Sequence, residues 1–481
     1  MDWTSFLLHD SKAPLLFHSG LFLVLFSLFL LIYAAVFPRK SLRDWLIILF
    51  SGYFYYKSSG TFLALLVASV LVNYGFARGL HASRSPIVRK LLLFLGIAVS
   101  LAPLVYFKYF GFLCENLGLT GAAQLAAGLV LPIGISFYTF QSISYLVDMH
   151  KGLIAPGGLR GYLLYMTFFP HLVAGPIVRG RDFLPQIEEP TVLDRRRIRE
   201  AMWLIVKGLV KKAIVADFVA QYADVVFSAP DGFHGAEHFL AALCYALQIF
   251  CDFSGYTDMA IGVALLLGFR LCRNFDSPYK SVSITQFWRR WHISLSSWLR
   301  DYVYIPLGGN RRGVPLQLGF LLVTMLVGGI WHGASWKFVF WGAAHGLLLV
   351  LHKLYRMLLP AGIRLPGWAI LSRLLTFACV ALLWIPFRAD TMADAWTFYA
   401  HIFTDFDPAY LPVLLAANPL LICFVLGGYA ATALPDRWKA VVRRGFDRTD
   451  LWLKFVLLAV LIQLVLQMKS ASVHPFIYFQ F

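Results

Sequence analysis

The chain alternates between long apolar runs and short loops rich in lysine and arginine. The runs are continuous in their hydrophobicity rather than alternating by two. They therefore predict helices and not barrel strands, the other structure that satisfies its backbone in lipid. Read in order, the pattern predicts crossings over 15–37, 45–56, 61–77, 91–110 and 123–146. It then predicts crossings over 201–227, 238–270, 316–333, 337–354, 369–387, 411–434 and 451–467. The run 162–178 has basic residues on both sides and is interrupted by Pro170, Gly175 and Pro176. One crossing there would put a basic loop outside, so it reads as re-entrant, a form tolerated only where protein buries it. The expectation is an all-α polytopic membrane protein with about eleven or twelve transmembrane helices and both termini outside. The first run has no basic segment before it and no small-residue cleavage site, so it reads as a retained span.

Some of these runs carry polar positions. The segment 131–148 is broken by Pro132 and Gly134 and bears Ser136, Thr139, Gln141, Ser142 and Ser144, so it faces protein or a cavity rather than lipid. Within 238–270, Asp252 and Asp258 fall at bilayer depth. Either they carry protons or ions, as in a transporter, or they pair with a nearby arginine or cap a broken helix.

Composition agrees with a membrane solvent. Of 481 residues, 59% are hydrophobic and 14% charged, with a mean hydropathy of +0.69, against ~45–50% and ~25% in soluble domains. The net charge of +17 resides in the short loops, as the positive-inside rule requires, and does not point to nucleic acid. The six cysteines form no Cys-x-x-Cys pair, which argues against a zinc site or a disulfide framework. No Ser-x-x-Lys, Gly-x-Ser-x-Gly, phosphate-loop or His-Glu-x-x-His pattern is present.

Candidate chemistry concentrates in 284–346. A helix over 288–302 would place Trp288, Trp291, Leu295, Trp298 and Tyr302 on one face, and Arg289, His292, Ser296 and Arg300 on the other. Such a helix either lies on the leaflet surface or turns its polar face to a water-filled funnel. In the funnel reading Arg289, Arg290 and Arg300 hold the phosphates of an anionic donor, and Asp301 neutralises one arginine. The next helix ends in Gly328-Gly329-Ile330-Trp331-His332-Gly333, with small residues where backbones can approach, and Ser335 stands at the N-cap position of the helix that follows. An imidazole in an apolar site stays neutral and can take a proton from an attacking hydroxyl. The bland alternative, a buried histidine bonded to a backbone carbonyl, is the default for His171, His345 and His352.

Five segments, LPIGISFYTFQSISYLVD (131–148), FFPHLVAGPIVR (168–179), CDFSGYTDMAIG (251–262), NFDSPYKSVSITQFWRRWHISLSSWLRDYVYIPLGGNRRG (274–313) and GGIWHGASWKFVFWGAAHG (328–346), and the ending HPFIYFQF (474–481), together resemble the membrane-bound O-acyltransferase family, in particular its alginate-acetylating branch. The resemblance implies a single transmembrane domain over 1–481, with a catalytic core at 131–352 and helices around a central tunnel. It implies His332 as the catalytic residue and His292 as a second catalytic position, with Arg289, Arg290, Arg300, Ser296 and Trp331 binding substrate. It further implies no bound cofactor and no metal. The implied donor is acetyl-CoA or another acyl thioester from the cytoplasm. The acceptor would be an extracytoplasmic polysaccharide, reached directly or through a periplasmic acetyltransferase partner, in a bacterial inner membrane. Three other functions remain open at this level: a flippase for a lipid-linked sugar or acyl donor, a D-alanyl transferase to teichoic acid, and a scaffold that docks secreted-polymer enzymes.

Overall fold

The computed structural model describes residues 8–10, 14–17, 19–173, 175–189, 192–359 and 366–468. The family-like ending 474–481 lies outside them. Among the described residues all regular structure is helical, and the protein is a multi-pass membrane protein. Six helices are long and apolar enough to cross a bilayer: Lys40–Ala82, Pro86–Asn116, Gly235–Leu266, Val314–His332, Trp336–Leu358 and Trp368–Arg388. These six stretches cover seven of the twelve expected crossings, because Lys40–Ala82 takes in two of them and is interrupted between them at Gly60–Phe62; the remaining runs are short or interrupted. Gly20–Val36, for example, is apolar but only 17 residues long.

Two expected spans are corrected. The run 411–434 is not one helix: Leu411–Ala417 and Pro419–Ala433 meet at a bend of 100°. Pro419 lacks an N–H and disfavours helical backbone at Asn418, which sits at φ −127, ψ 49. The run 123–146 is likewise split, into Thr120–Ala126 and Ile135–His150. Gly134 begins the second helix at φ +77, and a Cβ there would stand 2.5 Å from the carbonyl oxygen of Leu172. The helix it opens is buried along nearly its whole length, as its polar face predicts. The run 162–178 forms only the short helices Leu159–Thr167 and Phe169–Leu172, both largely buried, which meets the condition for irregular backbone at membrane depth.

The chain divides into two compact units. Of the described residues, the first takes those within 8–206, Tyr256–Cys272 and those within 462–468. The second takes them from Lys207–Gly255 and Arg273–Leu461, and it holds every candidate site residue. Its clearest packing unit is the hairpin of Val314–His332 and Trp336–Leu358. A Cβ on Gly329 would overlap the Phe338 carbonyl oxygen and stand 2.9 Å from Gly342 Cα, so the two backbones touch where only glycine fits. Gly329→Val is therefore expected to destabilise the protein by ~1–3 kcal/mol through overpacking. Gly319→Ala on the same helix, with nothing within 4 Å of its Cβ, should be neutral. Thermal melts in detergent distinguish the two, and equal melting of both variants would contradict the close approach.

Candidate active site

The predicted helix over 288–302 does not form as one element. Helix Ile284–Arg290 ends with Trp291 extended, His292 takes the left-handed conformation at φ 41, ψ 55, and Ile293–Leu299 begins afresh. The cause is a segment distant in sequence. The Ile293 N–H donates to the Asn274 carbonyl at 2.9 Å and the Ser294 N–H to the Asn274 side-chain oxygen at 3.2 Å, while the Asp276 N–H donates to the Arg290 carbonyl at 3.0 Å. Residues 274–276 thus occupy the helix break and take up the backbone groups that a continuous helix would pair internally. The left-handed backbone costs about 1–2 kcal/mol at a residue with a Cβ. Strain of this kind concentrates at functional positions.

The break separates what a continuous helix would have kept on one face. Arg289, Ser296 and Arg300 line a cavity of about 630 Å³, together with Lys353 and Arg356 from helix Trp336–Leu358. Arg290 is not part of this lining. Arg300 donates through Nε to Asp301 at 2.7 Å, the neutralising contact expected of that aspartate, and this bond raises the guanidinium pKa further. The cavity's apolar side includes Trp288, Leu299 and Met325. Neither Lys353 nor Arg356 is among the residues the sequence singles out, although both recur with Leu349 at helical spacing.

His292 is turned the other way and is fully buried. Its ring meets Phe253 edge-on with centroids 4.7 Å apart and lies 6.0 Å from Trp331. Burial pushes the imidazole pKa down to about 3, so the ring is neutral. Trp331 also contacts His332 at 4.9 Å, so one indole touches both histidines. His332 ends the helix Val314–His332 at 4% exposure, with Trp341 at 5.1 Å and Phe387 at 5.0 Å around its ring. It does not line the cavity. Between them stands an aromatic layer: Trp288 lines the cavity and packs on Trp341 at 5.7 Å. Met325 on the cavity wall is seven residues before His332 on the same helix, roughly 10 Å along the axis.

The other histidines separate. His171 bonds the Tyr165 carbonyl at 2.8 Å, the default for a buried imidazole, and His352 bonds the Thr285 hydroxyl at 2.9 Å. His345 departs from the default: it is fully buried against Trp341 and Trp288, at 4.6 and 5.1 Å, and neither ring nitrogen has a hydrogen-bond partner among the described residues. Ser335 holds the N-cap position with extended backbone, but its side chain makes no capping bond. Asp252 takes the structural alternative, with lysine instead of the expected arginine: Lys212 Nζ lies 2.9 Å from Asp252 Oδ2 and 2.9 Å from Asp217 Oδ1.

The site's sequence context is shared widely. The family model of membrane-bound O-acyltransferases matches residues 153–383. A probable alginate O-acetylase AlgI of Azotobacter vinelandii is 37% identical over 97% of this chain and the whole of that protein. The chain belongs to the membrane-bound O-acyltransferase family. As a family member it is an acyltransferase. A peptidoglycan O-acetyltransferase of Helicobacter pylori is 36% identical over 73% of this chain and 72% of its own length. A teichoic acid D-alanyltransferase of Streptococcus thermophilus is 30% identical over 46% of this chain and 56% of its own length. The membrane-bound O-acyltransferase match covers the cavity, the aromatic layer and both candidate histidines, but not the helices before residue 153.

Proposed function

We infer that the protein moves an acetyl group from a cytoplasmic thioester, acetyl-CoA or a close analogue, to hydroxyls of an extracytoplasmic polysaccharide such as alginate. Transfer is direct or passes through a periplasmic acetyltransferase, and the membrane is the bacterial inner membrane. The single observation behind the donor assignment is the cavity with four cationic residues, Arg289, Arg300, Lys353 and Arg356, set off from His332 by an aromatic layer. Guanidinium and ammonium groups there suit phosphate. The ~10 Å of helix from Met325 to His332 calls for an acyl group carried on a long arm, which a CoA-type thioester provides.

In this reading the acceptor oxygen attacks the thioester carbonyl while neutral His332 removes its proton. The carbon–sulfur bond then breaks, and the departing thiolate takes a proton to leave as the thiol. His292 and Trp331 position the donor carbonyl. Acetyl is preferred to D-alanyl because the O-acetylase similarity extends over 97% of the chain and the D-alanyltransferase similarity over 46%. The flippase reading loses part of its support, since Asp252 is held by Lys212.

The test pairs two donors. With purified protein, Arg289→Gln and Arg300→Gln together are expected to raise KM for acetyl-CoA by about tenfold or more, each lost charge-assisted bond being reduced by solvent exposure. A short acetyl thioester without phosphates should show no change in KM. Equal shifts for both donors would refute phosphate binding in this cavity. Movement of labelled thioester across a vesicle without its consumption would favour the flippase.

A further inference from the structure

Among the described residues only two other than glycine have backbone in the left-handed region, His292 at φ 41 and Ser277 at φ 49. One clasp brings them together. The stretch from Asn274 to Asp276 bonds the backbone on both sides of His292, and Ser277 is the next residue along the chain. The Ser277 hydroxyl accepts from Lys439 Nζ at 2.8 Å, so the clasp is also held from outside. Phe275, within it, packs edge-on against Trp291 and against Phe253, each at 5.0 Å. Phe253 is the ring that His292 meets. The clasp therefore fixes the backbone of His292 and steadies one wall against its imidazole.

Asn274 has a part in the clasp that depends on its side chain. A helix N-terminus leaves its first N–H groups without partners inside the helix, and the N-cap side chain ordinarily supplies an acceptor. His292 stands at the N-cap of helix Ile293–Leu299, but its side chain makes no capping bond. Asn274, twenty residues before Ser294, supplies the acceptor instead. Its side-chain Oδ1 accepts from the Ser294 N–H at 3.2 Å, and its backbone carbonyl accepts from the Ile293 N–H at 2.9 Å. Asn274 and Ser294 are both buried, so bulk water does not compete for the bond. The imidazole is thereby relieved of capping and lies against Phe253 and Trp331. Without this outside cap the less strained backbone is a continuous helix, which would bring residue 292 onto the face of Arg289 and Ser296.

We propose that Asn274 is a positioning residue for His292: it caps the following helix from outside and so keeps the imidazole beside Trp331, the indole that also touches His332. The proposal rests on the reading in which His292 orients the donor carbonyl, and Asn274 acts through His292 alone. The capping bond and the left-handed strain it offsets are of similar size, so loss of the bond lowers the share of molecules with the ring in place by about tenfold.

A double-mutant cycle on the consumption of labelled acetyl-CoA by the purified full-length protein tests this, with a thermal melt of each variant. Asn274→Ala is expected to lower kcat about tenfold, and Asn274→Asp, which keeps the acceptor oxygen, to retain most of the wild-type rate. Added to His292→Ala, the same alanine substitution is expected to change kcat by less than about twofold, because no imidazole is left to place. An Asn274 that only supports packing would slow both backgrounds equally, and that result would overturn the proposal. An aspartate variant as slow as the alanine variant would overturn it too. A slow His292→Ala beside an Asn274→Ala of wild-type rate would overturn it while leaving His292 in the reaction. His292→Ala at the wild-type rate would remove His292 from the reaction and this proposal with it. If Asn274→Ala does not fold, hydrogen exchange on the wild-type protein decides. The Ser294 N–H, in the first turn of its helix, is expected to exchange at least about tenfold more slowly than an amide without a partner, and exchange at the unprotected rate would overturn the cap.

Discussion

His332→Ala is expected to lower acyl transfer by ~10²–10⁴-fold, the usual contribution of a positioned general base, while the protein still inserts and folds. The ring is 4% exposed in a cage of Trp331, Trp341 and Phe387, so its removal also leaves a void. A void costs stability in proportion to its volume, and a less stable protein could mimic a less active one. His332→Gln, which keeps most of the volume, therefore accompanies the alanine variant. Both are assayed for consumption of labelled acetyl thioester alongside thermal melts. Activity near wild type in either well-folded variant would remove His332 from the chemistry. If the melts fall together with the rates, the residue supports packing and the base lies elsewhere.

The second large effect falls on stability. Lys212 is fully buried and holds Asp252 and Asp217, each at 2.9 Å. Replacing it with methionine takes away the cation 2.9 Å from the Asp252 carboxylate, which is 3% exposed, and is expected to cost ~3–5 kcal/mol. Asp217 is less affected because its side chain is 26% exposed and can be hydrated. The double replacement of Lys212 by Met and Asp252 by Leu should recover most of the loss, since an apolar pair of similar size replaces a buried ion pair with little penalty. Chemical or thermal unfolding in detergent reads this directly. A single variant that melts like the wild type would mean that Asp252 has another partner or carries a proton, and the transporter reading would regain its ground.

The two experiments also mark different levels at which the chain can be read. That Asp252 either carries a proton or ion or is held by neighbouring groups followed from an acidic group at bilayer depth. That the partner is Lys212, forty residues earlier, came from the fold. Asn418-Pro419 shows the opposite case: the bend of 100° was written in a dipeptide that disfavours helix, and apolar periodicity across 411–434 concealed it. Lys353 and Arg356 lie one helical turn from each other in the sequence, but nothing there places them in a cavity with Arg289 and Arg300.

By itself, the amino-acid sequence determined the solvent, the helical class, the family and the presence of small residues at Gly328 and Gly329 where a backbone can approach, because hydropathy and missing Cβ atoms act locally along a helix. Only the tertiary structure decided the break at His292 and the division of labour that follows from it. The break exists because Asn274 and Asp276 pair with backbone groups of Arg290, Ile293 and Ser294 across the fold. No periodicity within 288–302 encodes those partners. They send Arg289, Ser296 and Arg300 to a charged cavity and turn His292 into an aromatic interior, two environments that a single unbroken helix would have merged.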